Sequence, residues 1–102
     1  MLEAALEASA FAAGETRASL EVDRKLVLAV IKDLEIIGEA AAKVSLETRQ
    51  QHPQVPWSLV AGMRNRLIHA YFDVDYDQVW SAVTQDLPLL LAVLRDALSD
   101  AD

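Results

Sequence analysis

The chain has 102 residues, of which 53% are hydrophobic and 6% aromatic, and it contains three Gly, three Pro and no Cys. This length suits one domain over residues 1–102 with one hydrophobic core, and the abundance of Ala and Leu favours a compact helical protein over a disordered or all-β one. The absence of Cys excludes disulfides and thiolate metal sites, and it fits a reducing compartment.

The net charge of −7 argues against a protein that coats nucleic acid through a broad basic surface, because neutralisation of phosphate dominates that kind of binding. The positive charge is concentrated in residues 40–72, where a single acid, Glu47, accompanies four basic residues, Lys43, Arg49, Arg64 and Arg66. We call these four residues the basic island. It is either an ordinary solvated patch or a place where phosphate binds.

The N-terminal residues differ from a signal peptide. Glu3 and Glu7 stand where such a peptide carries positive charge, and no apolar stretch approaches the roughly 20 residues that span a bilayer. The sequence therefore predicts a soluble cytoplasmic protein with no membrane partner.

The first two predicted helices cover residues 1–13 and about 20–50. In the first helix, Leu2, Leu6 and Ala10 form one apolar stripe, and Gly14 is expected to end the helix. Ser19 is expected to cap the second helix. The buried face of that second helix shows helical spacing and consists of Val27, Val30, Ile31, Leu34, Ile37, Ala41 and Val44.

A second apolar row on the same helix consists of Leu26, Ala29, Ile36 and Ala40. The helix therefore carries more apolar surface than one four-helix core needs, and one side could pack against another subunit. Gly38, followed by three consecutive alanines at 40–42, would let a neighbouring helix approach closely. That neighbour could belong to the same chain or to a second copy.

Prolines mark the remaining boundaries. Because the residue before a proline is pushed out of helical geometry, Pro53 and Pro56 predict a third helix over about 57–70. Turn and cap chemistry before the last helical stretch is supplied by Asp73, Asp75 and Asp77. Pro88 is expected to kink or divide that stretch, with Asp86 capping its second half. Its apolar stripe consists of Tyr76, Val79, Trp80, Val83, Leu87, Leu90, Leu91, Leu94 and Leu98.

The residues with catalytic chemistry converge on GMRNRLIHAYF, residues 62–72. A histidine that titrates near neutral pH can move protons to and from a ribose hydroxyl. A planar guanidinium can hold a phosphate and offset the charge that develops in the transition state. Arg64, Asn65 and His69 are therefore a candidate site for cleavage of a phosphodiester.

On a regular helix Asn65 and His69 lie on one face, whereas Arg64 and His69 are about 140° apart. Arg64 and His69 therefore meet only if the helix loosens or if the site recruits residues from two chains. An isologous two-fold interface, with Gly62 permitting close approach, would satisfy the second condition.

A structural interpretation of the same residues stays open. Asn65 would then bond nearby backbone, and Arg64 would pair with Glu39 or Glu35. His69 would simply lie near a helix end, where a positive side chain suits the helix dipole.

Six segments occur in this order along the chain: LEIIGEAA (34–41), PQVPW (53–57), GMRNRLIHAYF (62–72), VD (74–75), VW (79–80) and DLP (86–88). Their combination, over roughly residues 20–98, resembles the HepT-like branch of the HEPN superfamily. The resemblance implies an all-α, up-and-down bundle of four to five helices that forms a homodimer.

The resemblance also implies a metal-independent ribonuclease without a cofactor, in which Arg64 and His69 form an Arg-x4-His site shared across the dimer. A ribose 2′-hydroxyl would attack the neighbouring phosphate, with His69 as general acid or base and Arg64 stabilising the developing charge. Asn65 would orient the substrate or donate a hydrogen bond to it. Glu39 and Arg66 are candidate supporting residues, although a surface or packing role for Glu39 is the alternative.

Tyr71 completes the pattern Arg-x4-His-x-Tyr. In the family this is the tyrosine onto which a minimal nucleotidyltransferase (MNT) antitoxin transfers AMP. If the helix persists, Tyr71 lies two turns along the face of Arg64, where an added phosphate would neutralise Arg64 and occupy the place of the substrate. The alternative is a tyrosine that packs its ring at a helix end.

The implied partners are RNA, either tRNA or mRNA, the nucleotidyltransferase antitoxin and a second copy of this chain, with a larger hetero-oligomer as a further expectation. Two other functions suit the same fold, namely a noncatalytic partner of a nucleotidyltransferase and an inactive interaction module. Intact Arg64, Asn65 and His69 favour the nuclease over the inactive module. Metal catalysis is the weakest alternative, because His52 lies in the proline loop and the sequence has no HExxH motif.

Overall fold

The computed structural model describes residues 1–68 and 73–100, and it describes their side chains except those of Arg64 and residues 97–100. The helices are α1 (Leu2–Ala12), α2 (Arg17–Val22), α3 (Arg24–Ala42), α4 (Leu46–Gln51), α5 (Trp57–Ala61), α6 (Met63–Leu67), α7 (Tyr76–Ser81) and α8 (Leu87–Asp100), with a π-helical segment, Ala82–Asp86, between α7 and α8. Every regular element in these ranges is helical, which confirms the all-α prediction. None of the helices in the described ranges combines the length and apolarity needed to cross a bilayer.

Helix α3 is the element around which the others pack. It contacts α1, α2, α5 and α6, and α8 packs on α1. The predicted inner face of α3 is confirmed, because six of its seven residues are buried, namely Val27, Val30, Ile31, Leu34, Ile37 and Ala41. In the second apolar row Ile36 is 39% exposed, so this row keeps part of its surface uncovered within one chain.

Helix α1 ends where the sequence predicts, but the face that it packs against the core differs from the predicted one. Gly14 follows the helix with φ of 77°, the left-handed geometry that glycine adopts without steric cost. The predicted stripe holds at Leu2, which packs against the core, but it is wrong further along, because Ala5 and Ala8 are buried while Leu6 is 41% exposed. Small side chains on the inner face let α1 lie close to α3.

The predicted helix over 20–50 is wrong, because the chain forms α2, α3 and α4 there. Ser19 is not an N-cap but lies inside α2, where its hydroxyl accepts a hydrogen bond from the backbone N–H of Thr16. Asp23 caps α3 by accepting from the N–H of Leu26, and Ser45 caps α4 by accepting from the N–H of Thr48. The first N–H groups of a helix have no acceptor within it, and these Asp and Ser side chains supply one, which favours helix starts here.

Arg49, a member of the basic island, holds the C-terminal end of α3. Its Nη2 donates to the carbonyls of Ala41 and Ala42 at 2.9 and 3.2 Å, and its Nε donates to the carbonyl of Val44 at 3.1 Å. The last carbonyls of a helix have no partner within the helix, so this guanidinium supplies a donor to the carbonyls of Ala42 and Val44 and a second donor to that of Ala41, which also accepts from the N–H of Val44. This part of the basic island is structural.

The third predicted helix begins at Trp57, as expected, but Gly62 separates α5 from α6 and the helix stops at Leu67. Gly38 lies where α5 crosses α3. A Cβ at Gly38 would lie 3.2 Å from the carbonyl oxygen of Val60, so the absence of a side chain allows this crossing. Of the two expected uses of Gly38, the structure therefore shows close packing inside one chain.

The last helical stretch runs without a break from Tyr76 to Asp100, so the predicted division at Pro88 is wrong. The N–H of Leu87 bonds to the carbonyl of Ala82, five residues earlier, which gives a wider turn just before Pro88. Proline has no N–H for a regular helical bond, and this π turn accommodates it. Asp86 does not cap a helix but forms the ion pair with Arg66 described below.

Two aspartates anchor α7. The Asp75 side chain caps the helix by accepting from the N–H of Gln78 at 3.1 Å. Asp77, which was expected to serve a turn or cap, forms an ion pair with Arg17 and so ties α7 to α2.

Candidate active site

Helix α6 carries the first half of the Arg-x4-His segment. Met63 and Leu67, at the two ends of the helix, are 1% and 0% exposed and hold it against the core. Arg64 and Asn65 lie between these two anchors, and Asn65 is exposed. The side chain of Arg64 lies outside the description.

Asn65 opens onto a surface depression of about 200 Å³ between α3 and the α5–α6 pair. We call it the Asn65 depression; it is lined by Glu35, Gly38, Glu39, Ala42, Ala61 and Asn65. The structure thus brings Asn65 and Glu39, two of the predicted site residues, to the same depression. The close approach at Gly38 is what brings α5 and α6 near this part of α3.

Arg66 belongs to a different cavity. Its Nη2 lies 3.3 Å from Oδ2 of Asp86, and both side chains are less than a third exposed. The pair lines a small cavity of about 80 Å³ whose other walls are mostly apolar. Arg66 therefore fixes α6 to the π-helical segment, which is a supporting role by position and not a contact with the Asn65 depression.

The helical segment ends earlier than the sequence suggested. Ile68 forms an isolated antiparallel bridge with Val74, and the N–H of Asp75 donates to the carbonyl of Leu67 at 2.8 Å. The helix therefore ends at Leu67 and does not run on through Ile68 as predicted. His69 and Tyr71 themselves lie outside the described residues.

Sequence reasoning missed one buried acid, Asp33 on α3, which is 4% exposed. The pKa of Asp33 is raised to about 6, chiefly by burial and then by its hydrogen bond and charge repulsion with Glu7 on α1. Its spacing contained a signal, because Asp33 lies three residues after Val30 and four before Ile37, within the apolar stripe of α3.

The all-α fold and an Arg-x4-His segment that starts on α6 fit the HEPN class of helical proteins. A family model described as "Ribonuclease HepT-like" matches residues 1–97. The chain therefore belongs to the ribonuclease HepT-like family, which confirms the resemblance seen in the sequence.

Several relatives share this match. The chain is 47% identical over 68 residues to a protein named probable ribonuclease HepT of Thermococcus cleftensis, a match that covers 67% of this chain and 62% of that protein. It is 41% identical over 76 residues to a Caldanaerobacter subterraneus protein whose name proposes an RNase, covering 74% of this chain and 68% of that protein. A Methanocaldococcus jannaschii protein with a similar name is 36% identical over 80 residues, covering 78% and 69%. The chain thus spans less than two thirds of the Thermococcus protein. No solved structure matches this chain.

Proposed function

We propose that this chain is a metal-independent RNA endonuclease, the toxin of a HEPN/MNT toxin–antitoxin system, in which Arg64 and His69 work across a homodimer interface. The observation that carries the proposal is the setting of Asn65, which follows Arg64 on a helix fixed to the core and opens onto a surface depression. Family membership and the names of the relatives support RNA as the substrate. RNA as the substrate would place the protein in the cytoplasm.

In the proposed reaction the 2′-oxygen of a ribose attacks the adjacent phosphorus, and the bond from that phosphorus to the 5′-oxygen of the next nucleotide breaks. His69 takes the 2′ proton as a base or gives a proton to the leaving 5′-oxygen as an acid. Arg64 stabilises the charge on the pentacoordinate phosphate, and Asn65 orients the substrate or donates to it. Side chains supply proton transfer and charge stabilisation, so the proposed reaction needs no metal ion.

The first experiment measures RNA cleavage with a chelator present. We expect Arg64→Ala and His69→Ala to lose most activity, while Arg95→Ala on the exposed part of α8 and His52→Ala serve as controls for loss of charge and of imidazole. Each protein is first shown to unfold at the same denaturant concentration as the wild type. Equal cleavage by all five proteins would contradict the proposed site.

The homodimer is tested by mixing the two inactive variants. If Arg64 of one copy works with His69 of the other, a statistical mixture of Arg64→Ala and His69→Ala chains regains about a quarter of wild-type activity, because half of the dimers hold one intact site out of two. No recovery in a mixture shown to exchange subunits would place both residues of a site in one chain.

We further propose that an MNT-type nucleotidyltransferase antitoxin switches the enzyme off by modifying Tyr71, within a toxin–antitoxin hetero-oligomer. The Tyr71 hydroxyl oxygen would attack the α-phosphorus of ATP, forming a P–O bond as pyrophosphate leaves and the hydroxyl proton passes to a base or to water. The added phosphate brings negative charge next to the cationic site.

Mass spectrometry after incubation with the antitoxin and ATP tests this modification. Tyr71→Phe should gain no AMP, whereas Tyr76→Phe, which removes the only other tyrosine, should gain it as the wild type does. Modified wild-type protein should also lose RNA cleavage. AMP on the Tyr71→Phe protein would mean that another residue is modified. Modification of a wild-type protein that never cleaves RNA would favour the noncatalytic partner function.

A further inference from the structure

A second depression, of about 230 Å³, lies between α1 and α3. We call it the acidic pocket; it is lined by Met1, Glu3, Ala4, Glu7, Asp33 and Ile36. It shares no lining residue with the Asn65 depression. Glu3 and Glu7 are four residues apart on α1, so both lie on the side of α1 that faces this pocket.

Asp33 makes this pocket more than a group of surface acids. Its side chain is 4% exposed, and its Oδ2 atom is buried with no hydrogen-bond partner in the described part of the chain. Buried carboxylate oxygens are normally paired, because removing them from water is costly. The neighbouring Glu7 adds a second negative charge and raises the pKa of Asp33.

The acids of the pocket take part in none of the ion pairs within the described residues, although the pocket lining also includes Met1, which carries the N-terminal amine. The ion pairs within the described residues join Arg17 to Glu21 and Asp77, and Arg66 to Asp86, so none includes Glu3, Glu7 or Asp33. A cation in the pocket would replace the repulsion between Glu7 and Asp33 with two attractions. Such a ligand would also give Asp33 the missing hydrogen-bond donor.

The walls of the pocket indicate which cation would fit. No group of three or more acidic or histidine side chains in residues 1–68 and 73–100 is arranged to hold a metal ion. Ala4 and Ile36 provide apolar surface beside the carboxylates. Apolar walls with acids at one side suit a cation on an aliphatic stem, whose methylenes cover the apolar surface while the charged head meets the carboxylates.

We propose that the acidic pocket binds an ammonium or guanidinium group carried on an aliphatic stem, with Asp33 and Glu7 as its ligands. The group could be a lysine or arginine side chain of a partner protein or one end of a free polyamine. This binding is independent of RNA cleavage at Arg64 and His69.

NMR titration of the isotope-labelled full chain tests the proposal with two probes, the peptide acetyl-Gly-Arg-Gly-amide and spermidine. The peptide acetyl-Gly-Gln-Gly-amide is the neutral control. We expect saturable shifts confined to the facing parts of α1 and α3, and no saturation with the neutral peptide. Saturation by the arginine peptide assigns a protein side chain as the ligand, and saturation by spermidine alone assigns a free polyamine.

Substitutions inside and outside the pocket distinguish binding at this site from general attraction of a cation to an acidic protein. Asp33→Asn keeps the shape of the side chain and should weaken binding at least tenfold, and Glu7→Gln, on an exposed residue, should do the same if Asp33→Asn folds poorly. Glu15→Gln removes one negative charge outside the pocket and should leave the affinity within twofold. No saturable shift with either probe, or equal weakening by all three variants, would overturn the proposal.

Discussion

The guanidinium of Arg66 lies 3.3 Å from the carboxylate of Asp86, and this ion pair joins α6 to the π-helical segment twenty residues further along the chain. Arg66 Nε is buried and has no hydrogen-bond partner among the described residues. The position of α6, and with it the first half of the Arg-x4-His segment, therefore depends on a carboxylate outside that segment.

Removing that carboxylate should destabilise the protein. We expect Asp86→Ala to lower the free energy of unfolding by about 1–3 kcal/mol, because it leaves a partly buried guanidinium without its partner. Urea unfolding measures the change, with Asp96→Ala on the exposed part of α8 as the control. RNA cleavage should fall in parallel. Wild-type stability in Asp86→Ala would show that the pair does not hold α6.

Gly38→Ala tests the crossing of α5 over α3. Alanine would normally stabilise a helix interior by about 1 kcal/mol relative to glycine, but its Cβ would lie 3.2 Å from the backbone oxygen of Val60. Since a backbone carbonyl moves only with its helix, we expect a net loss of about 1 kcal/mol and reduced cleavage. Lys32→Ala, on the exposed side of α3, should change stability by less than about 0.5 kcal/mol. A stabilised Gly38→Ala protein would contradict the tight crossing.

Arg49 should matter for stability more than its place in the basic island suggests. Arg49→Ala removes the side-chain donor to the carbonyls of Ala42 and Val44, while that of Ala41 keeps the backbone N–H of Val44, and we expect a loss of about 2 kcal/mol. Arg49→Lys should recover only part of it, because an ammonium lacks the planar fork. Thermal and urea unfolding measure both, with exposed Gln50→Ala as the control. A full recovery by lysine would indicate that charge alone is needed.

Asp33 should make stability depend on pH. Its pKa in the folded chain, about 6, lies above the ordinary value of 3.8, so the folded state binds the proton more tightly than the unfolded state. The resulting stabilisation is fully present below about pH 4 and is lost as the pH rises through about 6. A shift from 3.8 to about 6 corresponds to about 3 kcal/mol.

Asp33→Asn removes this dependence. We expect it to be more stable than the wild type at pH 7, by at most about 3 kcal/mol, and equal to the wild type near pH 4. Urea unfolding at four pH values gives the difference curve, with Glu15→Gln as the control for a lost surface charge. A difference that does not change with pH would mean that Asp33 titrates normally.

Replacing Asn65 should lower the rate of RNA cleavage without changing the stability of the fold. Its side chain is exposed, so Asn65→Ala should change the free energy of unfolding by less than about 0.5 kcal/mol. If Asn65 orients the substrate or donates to it, kcat for RNA cleavage should fall about tenfold or more. Gln50→Ala, the removal of an exposed amide elsewhere, should leave kcat unchanged. An unchanged kcat in Asn65→Ala would remove this residue from the proposed site.

Much of the fold could be predicted because it follows from periodic burial. The inner face of α3, from Val27 to Ala41, the start of α5 at Trp57 and the end of α1 at Gly14 all depend on local spacing or on one residue's backbone preference. The predicted helix over 20–50 was wrong because apolar spacing continues through Asp23 and Ser45, while capping by those two side chains decides where helices begin.

The candidate site was less accessible to sequence reasoning. Residue type and order led to the proposal of Arg64, Asn65 and His69, which stays a prediction. The end of α6 at Leu67 comes just before a bridge between Ile68 and Val74, a contact that helical spacing does not encode. The Arg66–Asp86 pair likewise joins residues far apart in the chain. Asp33 was missed because its neighbours in the stripe are apolar.

The bridge between Ile68 and Val74 also bears on the entropy of substrate binding. It holds together the two ends of the short stretch that includes His69 and Tyr71. If His69 acts beside a phosphate as proposed, part of the entropy cost of ordering it is met when the protein folds, because a chain with fixed ends has fewer conformations than one with free ends. Weakening the bridge should therefore raise KM for RNA, through a less favourable entropy of association that calorimetry can measure.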